Sequence, residues 1–362
     1  MSDLLRYGVV GAGYFGAELA RAAAELPGAK LAAVQSASGT GARRVAEELG
    51  CDAFTSLDAL VRSVDVVVVA SPNDVHREAV QRAAELGRPV FCEKPLALST
   101  VDAESMISTC QNAGVVLMAG HVQRFYDGAR RMKTLLDGGV IGRPLVAHVE
   151  RTGWEPPRQK VSWKKMQAHS GGHLFHHIHE IDLVHWLMGP AAHVYAAGGN
   201  LAHHGAGHGD EDDVLLLTIG LRSGSFATME YGSAFRLGKH FLRVNGTDGA
   251  LVLDSQTASL EIHTAEGVAV EPFFTDPESQ ADLLALFRRT DGGVAYGLSD
   301  ERPPHYLRAA ARAELALLDS VVRGVQIPAG SEDLFDGSAA LTAVRTAQGA
   351  LESLRTGRIV DL

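Results

Sequence analysis

Two short motifs near the N-terminus have the residue types and spacing for chemistry. GAGYFG follows an apolar stretch and carries Gly11, Gly13 and Gly16 at the spacing of a dinucleotide-binding turn, with Tyr14 and Phe15 inside it. Such a turn holds a pyrophosphate at a helix N-terminus, where unpaired N–H groups and a partial positive charge meet the phosphates. Farther on, FCEKP (Phe91 to Pro95) ends a second apolar stretch and sets Lys94 at a strand end, where sheets of this kind put their reacting groups. Together they point to an enzyme that moves hydride to or from a nicotinamide.

The acidic residue that usually follows such a turn and holds the ribose diol is missing. Ser36 stands there, followed by Ala37, Ser38 and Gly39, with Arg43 and Arg44 close by. Serine can donate to a plain ribose or meet a 2′-phosphate, and the arginines either meet that phosphate or form a solvated helix face. NAD and NADP both stay open, with NAD slightly preferred.

The elements that must position these groups alternate in type. Strands are expected at 4–10, 31–36, 65–70, 89–92 and 115–119, and helices at 14–26, 42–49, 74–86 and 100–113. Ser99 and Asp102 have capping-box spacing before the last helix. Continuous apolar strands separated by helices mean a parallel sheet covered on both faces. Past about residue 145 the pattern becomes one of strands joined by short turns, at 145–152, 193–197, 214–221, 225–232, 241–245, 250–253 and 259–263, with NGTDGA as a hairpin signal. One long helix is expected over 172–188. Two alanine-rich helices, 306–323 and 338–355, follow, and could return to the first domain. The expected fold is α/β: an N-terminal Rossmann domain over 1–122, then an α+β domain over 123–362 with a large, mainly antiparallel open sheet.

The 362 residues are 46% hydrophobic and 21% charged, with formal charge -10. That balance argues against nucleic acid as a partner. No apolar run is long enough to cross a bilayer. The opening MSDLLRYGVV, with Asp3 and an immediate strand, is not a secretory signal. Three cysteines, Cys51, Cys92 and Cys110, imply no disulfide framework and read as reduced thiols of a cytoplasmic protein.

GAGYFG, ASPNDVH (Ala70 to His76), FCEKPLA, GHVQRF (Gly120 to Phe125), GGHLFHHIHEID (Gly171 to Asp182) and GTDGA occur in an order that resembles the Gfo/Idh/MocA oxidoreductases over most of the chain. The resemblance implies a site between the two domains, oligomers (dimer or tetramer) formed through the C-terminal sheet, and sugars, polyols or related cyclic alcohols as substrates. It implies that Ser71, Pro72, Asn73 and His76 line the nucleotide, that Glu93 orients the nicotinamide ribose and that Lys94 faces the reacting carbon. Arg124 falls on the substrate side, and His179 with Asp182 matches the family's HxxD pair. Inositol-type members place an aspartate four residues before this histidine; here Phe175 stands there, followed by His176 and His177. Either His176 takes over a contact or the substrate hydroxyl is handled differently.

Oxidising a secondary alcohol needs a base for the hydroxyl proton. A lysine deprotonated by burial beside a cation can serve, and so can a histidine. Lys94 is expected as proton acceptor or donor to the oxygen, with His179 as its partner. His173 and His177 have the spacing of a zinc pair, and His203, His204, His208 and Asp210 form a second cluster. Neither cysteine ligands nor an HExxH motif accompany them, so no metal is expected. The segment RTGWEPPRQKVSWKK reverses the chain's charge locally. It is either a wall in which Trp154, Arg158, Lys160, Trp163 and Lys164 recognise an anionic ring, or a solvated loop with aromatic anchors.

The leading expectation is an NAD(P)-dependent dehydrogenase or reductase of a carbohydrate-like alcohol, possessed in some substrates of an acidic group. Alternatives are an NAD-dependent glycosidase acting on an acidic glycoside by transient oxidation and elimination, a dihydrodiol dehydrogenase, and a non-catalytic dinucleotide-sensing regulator.

Overall fold

The computed structural model describes residues 4–289 and 301–362; Asp3 lies outside them. Among the described residues the chain forms two compact units. One is built from 4–122, 301–303 and 307–341, the other from 123–289, 304–306 and 342–362.

The first unit holds a six-stranded parallel sheet of β1 (Leu5–Val10), β2 (Ala29–Gln35), β3 (Asp52–Phe54), β4 (Val66–Val69), β5 (Val90–Glu93) and β6 (Leu117–Gly120), in the order β3-β2-β1-β4-β5-β6. The order reverses between β1 and β4, so their C-terminal ends open the crevice where doubly wound sheets bind ligands. All four valines of β4 are buried, as a strand covered on both faces requires. The helix Thr100–Ala113 starts as its capping box predicts: the Ser99 Oγ accepts the Asp102 N–H at 3.1 Å and donates to the Asp102 carboxylate at 2.8 Å. The sequence reading missed β3 and the helices Leu57–Ser63 and Glu332–Phe335; the strand is three residues long and shows no alternation. Cys92 and Cys110 are buried, and burial pushes both thiols up, Cys110 to about 11.

The helix His305–Val322 contributes most of its length to this unit, and Asp319 accepts the Tyr7 hydroxyl at 2.8 Å. Its Glu314 is fully buried, and among the described residues neither carboxyl oxygen has a hydrogen-bond partner. Burial, and after it the negative field of Glu93, raises this acid well above 4.5. It therefore gives up its proton at a higher pH in the folded chain than in the unfolded one.

The second unit is built on β7 (Pro144–Thr152), β8 (Ala191–Gly199), β9 (Val214–Leu221), β10 (Phe226–Gly232), β11 (His240–Gly246), β12 (Gly249–Asp254), β13 (Ser259–Thr264), β14 (Gly267–Pro272) and β15 (Val360–Asp361). They form one sheet in the order β14-β13-β12-β11-β7-β10-β9-β8-β15, antiparallel throughout except for the parallel pair β7 and β10. One register row, Ala196–Leu217–Met229–Val149–Leu242–Leu253–Leu260, runs across seven strands and is buried throughout. A one-residue slip in any strand would turn its share of this row to the other face.

The single long helix expected over 172–188 is broken. Short turns span Gln167–Ser170 and His173–His176, and a separate helix runs from His179 to Met188. The left-handed Gly171 and Gly172 (φ +80° and +75°) precede the second turn, and His177 leaves helical geometry. The helices Asp127–Asp137 and Pro277–Arg289, and strands β14 and β15, were likewise unforeseen.

Glu314→Gln should raise the midpoint of thermal unfolding at about pH 8 and leave it nearly unchanged at about pH 4, because an acid raised by burial costs stability only where the unfolded chain has lost its proton. Parallel melting curves of the two proteins across this range check it; an unchanged difference at both pH values would show that Glu314 ionises normally.

Candidate active site

The three glycines of the first turn are needed for different reasons. A Cβ on Gly11, which has φ +97°, would lie 2.5 Å from the Ala70 carbonyl oxygen, and one on Gly16 would lie 1.8 Å from the Gly11 carbonyl oxygen. These two glycines let β1, β4 and the following helix approach one another. Gly13 is different: a Cβ there would meet nothing within 4 Å. It is exposed, and it caps the helix Tyr14–Ala24 without any side-chain hydrogen bond. The space above it and the helix N–H groups fit a pyrophosphate.

Tyr14 and Phe15 are half-buried at the start of that helix. After β2, the Ser36 Oγ accepts the Ala42 N–H at 3.0 Å, which leaves its own proton to donate. Ser38 is exposed, and the Arg43 guanidinium lies over Gly39. After β4, the Ser71 Oγ is buried with no hydrogen-bond partner among the described residues, Pro72 is exposed and Asn73 is buried. His76 is fully buried; its Nδ1 faces the Pro95 carbonyl at 2.9 Å and its Nε2 the Ser71 carbonyl at 3.0 Å. Burial lowers its pKa, so the neutral ring donates to one carbonyl at a time. His76 thus fastens the loop after β4 to the turn after β5. In that turn, Glu93 is buried and its Oε2 accepts the Lys94 N–H at 3.3 Å, while Lys94 is half-buried.

In the second unit His179 is buried and is the first residue of its helix. Asp182, one turn on, accepts two bonds from Arg124, at 2.6 and 2.8 Å, and both residues are buried. Between them, Glu180 is gripped by Arg151 at 2.5 Å and by His240 at 3.0 Å. Burial alone would raise Glu180, but Arg151, followed by His240, holds it far below the ordinary carboxylate range. Removing one partner of this ion pair would strand the other charge in the interior, at a cost of about 3–5 kcal/mol.

Phe175 is a core side chain. His176 is half-buried, with its ring edge-on to His177 and to Trp163. His173 and His177, the pair at zinc spacing, stack face to face with centroids 5.0 Å apart, and burial keeps both neutral. The basic segment is partly committed to carboxylates. Arg158 pairs with Glu155 at 2.8 Å, and Lys165 bridges Glu155 at 2.5 Å and Glu211 at 2.6 Å. Trp154 has the Arg236 guanidinium 3.3 Å from its ring centre and His203 beside it. Lys160 is exposed, and Trp163 and Lys164 are half-buried.

Glu211, which also faces His173 Nε2 at 3.3 Å, went unnoticed in the sequence. Burial pushes it up to about 7, against the pull of Lys165 and with help from Glu155 and Asp210. Its ammonium partner Lys165 is shared with Glu155, which has Arg158 as well, so Glu211 is the carboxyl of the two that burial raises. No motif marks Glu180, His240 or Glu211 as belonging together; the one signal was that Glu180 follows His179.

Gly13→Ala should keep the thermal midpoint within a few degrees yet weaken NADH binding roughly tenfold or more, because its methyl would meet no protein atom within 4 Å and would enter the open space that fits a pyrophosphate. Gly16→Ala should lower the midpoint as well. Fluorescence titration beside melting curves separates the two. In Glu211→Gln the fall of stability between pH 4.5 and about 7 should be shallower than in the parent, since a carboxyl raised to about 7 loses stability across that interval. Denaturant midpoints at each pH measure it.

This geometry agrees with what the chain is similar to. The NAD-binding Rossmann-fold model of the Gfo/Idh/MocA oxidoreductase family matches residues 5–121, and that family's C-terminal alpha/beta-domain model matches 133–362. A 2,7-anhydro-N-acetylneuraminate hydratase of Escherichia coli K12 is 41% identical over 366 residues, covering 99% of this chain and 97% of its own. The enzyme of the same name from Mediterraneibacter gnavus is 41% identical over 364 residues, covering 98% and 96%. Among solved structures, a levoglucosan dehydrogenase in complex with NADH and levoglucosan superposes with a TM-score of 0.81 at 19% identity, covering 99% of each chain. The chain belongs to the Gfo/Idh/MocA family of NAD-binding oxidoreductases.

Proposed function

We propose that the enzyme hydrates an acidic anhydro-sugar of the 2,7-anhydro-N-acetylneuraminate type by a redox cycle that leaves no net oxidation. The observation that carries this is a conjunction. The chain has an NAD-binding domain with room for a pyrophosphate at Gly13, and it is 41% identical over nearly its whole length to proteins named as hydratases of that compound. Adding water changes no oxidation state, so hydride taken from the sugar has to be returned to it.

Bound NAD would accept hydride from a ring carbon and later give it back. It would be held by the Gly11–Gly16 turn, by Ser36 at the adenosine ribose and by Ser71, Asn73 and Glu93 toward the nicotinamide. NAD is favoured over NADP because Ser36 keeps a proton to donate to a ribose hydroxyl. Lys94 takes the hydroxyl proton as hydride leaves, with His179 as its proton partner. The ketone so formed acidifies the neighbouring C–H, whose loss expels the bridging oxygen; water then adds to the double bond and the ketone is reduced. Lys160 and Lys164, with the Trp163 ring, are read as the wall for the substrate carboxylate. We further read the enzyme as a cytoplasmic homo-oligomer formed through the outer face of the nine-stranded sheet, where Tyr195, Leu216 and Phe226 are exposed.

Incubation of the purified protein with 2,7-anhydro-N-acetylneuraminate and NAD should yield N-acetylneuraminate by chromatography without a growing NADH absorbance. Stoichiometric NADH would replace the hydratase by a dehydrogenase. Lys94→Ala should lower turnover about 100-fold or more while NADH still binds. Unchanged turnover removes Lys94 from the reaction.

A further inference from the structure

The helix that begins with His179 starts without the usual anchor. Ile178 stands at its N-cap and offers no side-chain hydrogen bond, and the chain before it leaves helical geometry at His177. Four N–H groups at such an end normally call for a capping side chain. Here the first turn is held from the side by two buried carboxylates, Glu180 and Asp182.

Asp182 takes the Arg124 fork described above. Glu180 is held by three residues from separate elements, all reaching its Oε1: Arg151 at 2.5 Å, His240 at 3.0 Å and Gln123 at 3.3 Å. The sheet register makes this grip possible. Arg151 on β7 pairs with His240 on β11 and with Tyr231 on β10, one pleat beyond the buried row through Val149. Arg151 therefore stands on the inner face of the sheet, where a charge has to be neutralised. Tyr231 adds a bond of its own, donating its hydroxyl to the His177 carbonyl at 3.3 Å just before the helix.

We propose that Glu180 is a positioning residue for His179: by tying the uncapped first turn to Arg151, His240 and Gln123, it fixes where the His179 ring stands for proton transfer. This rests on the reading of His179 as the proton partner in the reaction. The charged or titratable groups that act on the Glu180 carboxylate are Arg151 from β7, His240 from β11 and His179 from its own helix. Asp254 on β12 in turn acts on His240.

The test is Glu180→Gln in the full-length protein, with four measurements: NADH affinity, KM, kcat, and the titration of the His179 ring followed by NMR without substrate. Glutamine keeps the shape but gives up the anion. Expected are an unchanged NADH dissociation constant, a kcat lower by about 10- to 100-fold and a His179 midpoint moved to lower pH, since a lost carboxylate no longer favours the imidazolium. If the single variant does not fold, Glu180→Gln with Arg151→Gln removes both charges and leaves neither stranded; that double variant should fold and show the same loss of kcat. His179→Asn run in parallel separates the two claims. If it keeps full turnover, the reading of His179 fails. If it loses turnover while a folded Glu180 variant keeps the parent kcat, the positioning role is overturned.

Discussion

A carboxylate withdrawn from water must find a cation, and much of the second unit is arranged around that requirement. Glu180 and Asp182 lie in the first turn of one helix, and each is met by a buried arginine. Arg151 comes from the middle of the nine-stranded sheet, and it reaches Glu180 only because β7 pairs with β10 on one side and β11 on the other in a single register. Sheet register, helix start and the place of His179 are therefore one linked constraint. A slip in β7 would carry Arg151 to the opposite face and leave Glu180 without its cation.

The first unit solves a different problem, that of close approach. Gly11 and Gly16 are small because the backbones of β1, β4 and the following helix leave no space for a Cβ, whereas Gly13 is small although the protein leaves space there. That contrast ties the outer two glycines to the fold and leaves open space at the middle one. His76 extends the same logic. A buried neutral imidazole placed between two main-chain carbonyls couples the loops after β4 and β5, which carry Ser71 and Lys94.

Charge also explains why the basic segment is less open to a ligand than its composition implies. Of its cations, Arg151, Arg158 and Lys165 are each within 2.8 Å of a carboxylate oxygen. Glu180 and Glu211, which complete two of these pairs, lie well outside the segment. Where two carboxylates share one ammonium, as Glu155 and Glu211 share Lys165, burial raises the pKa of the carboxylate that has no second cation.

The sequence alone was sufficient for the parallel sheet, the glycine turn, the antiparallel character of the second half and the family. Each of these is written in local signals, such as β-branched runs, glycine spacing and turn residues, that need no knowledge of distant contacts. It missed β14, whose residues are exposed on both faces and so show no alternation, and it joined Gly172 to Met188 in one helix because apolar spacing does not register the left-handed Gly171 and Gly172 or the break at His177. What only the tertiary structure decided was the pairing of charges. Arg124 with Asp182, Arg151 with Glu180 and His240, and Lys165 with Glu211 join residues far apart in the chain, and electrostatic partners are chosen by proximity in a low-dielectric interior rather than by position along the sequence.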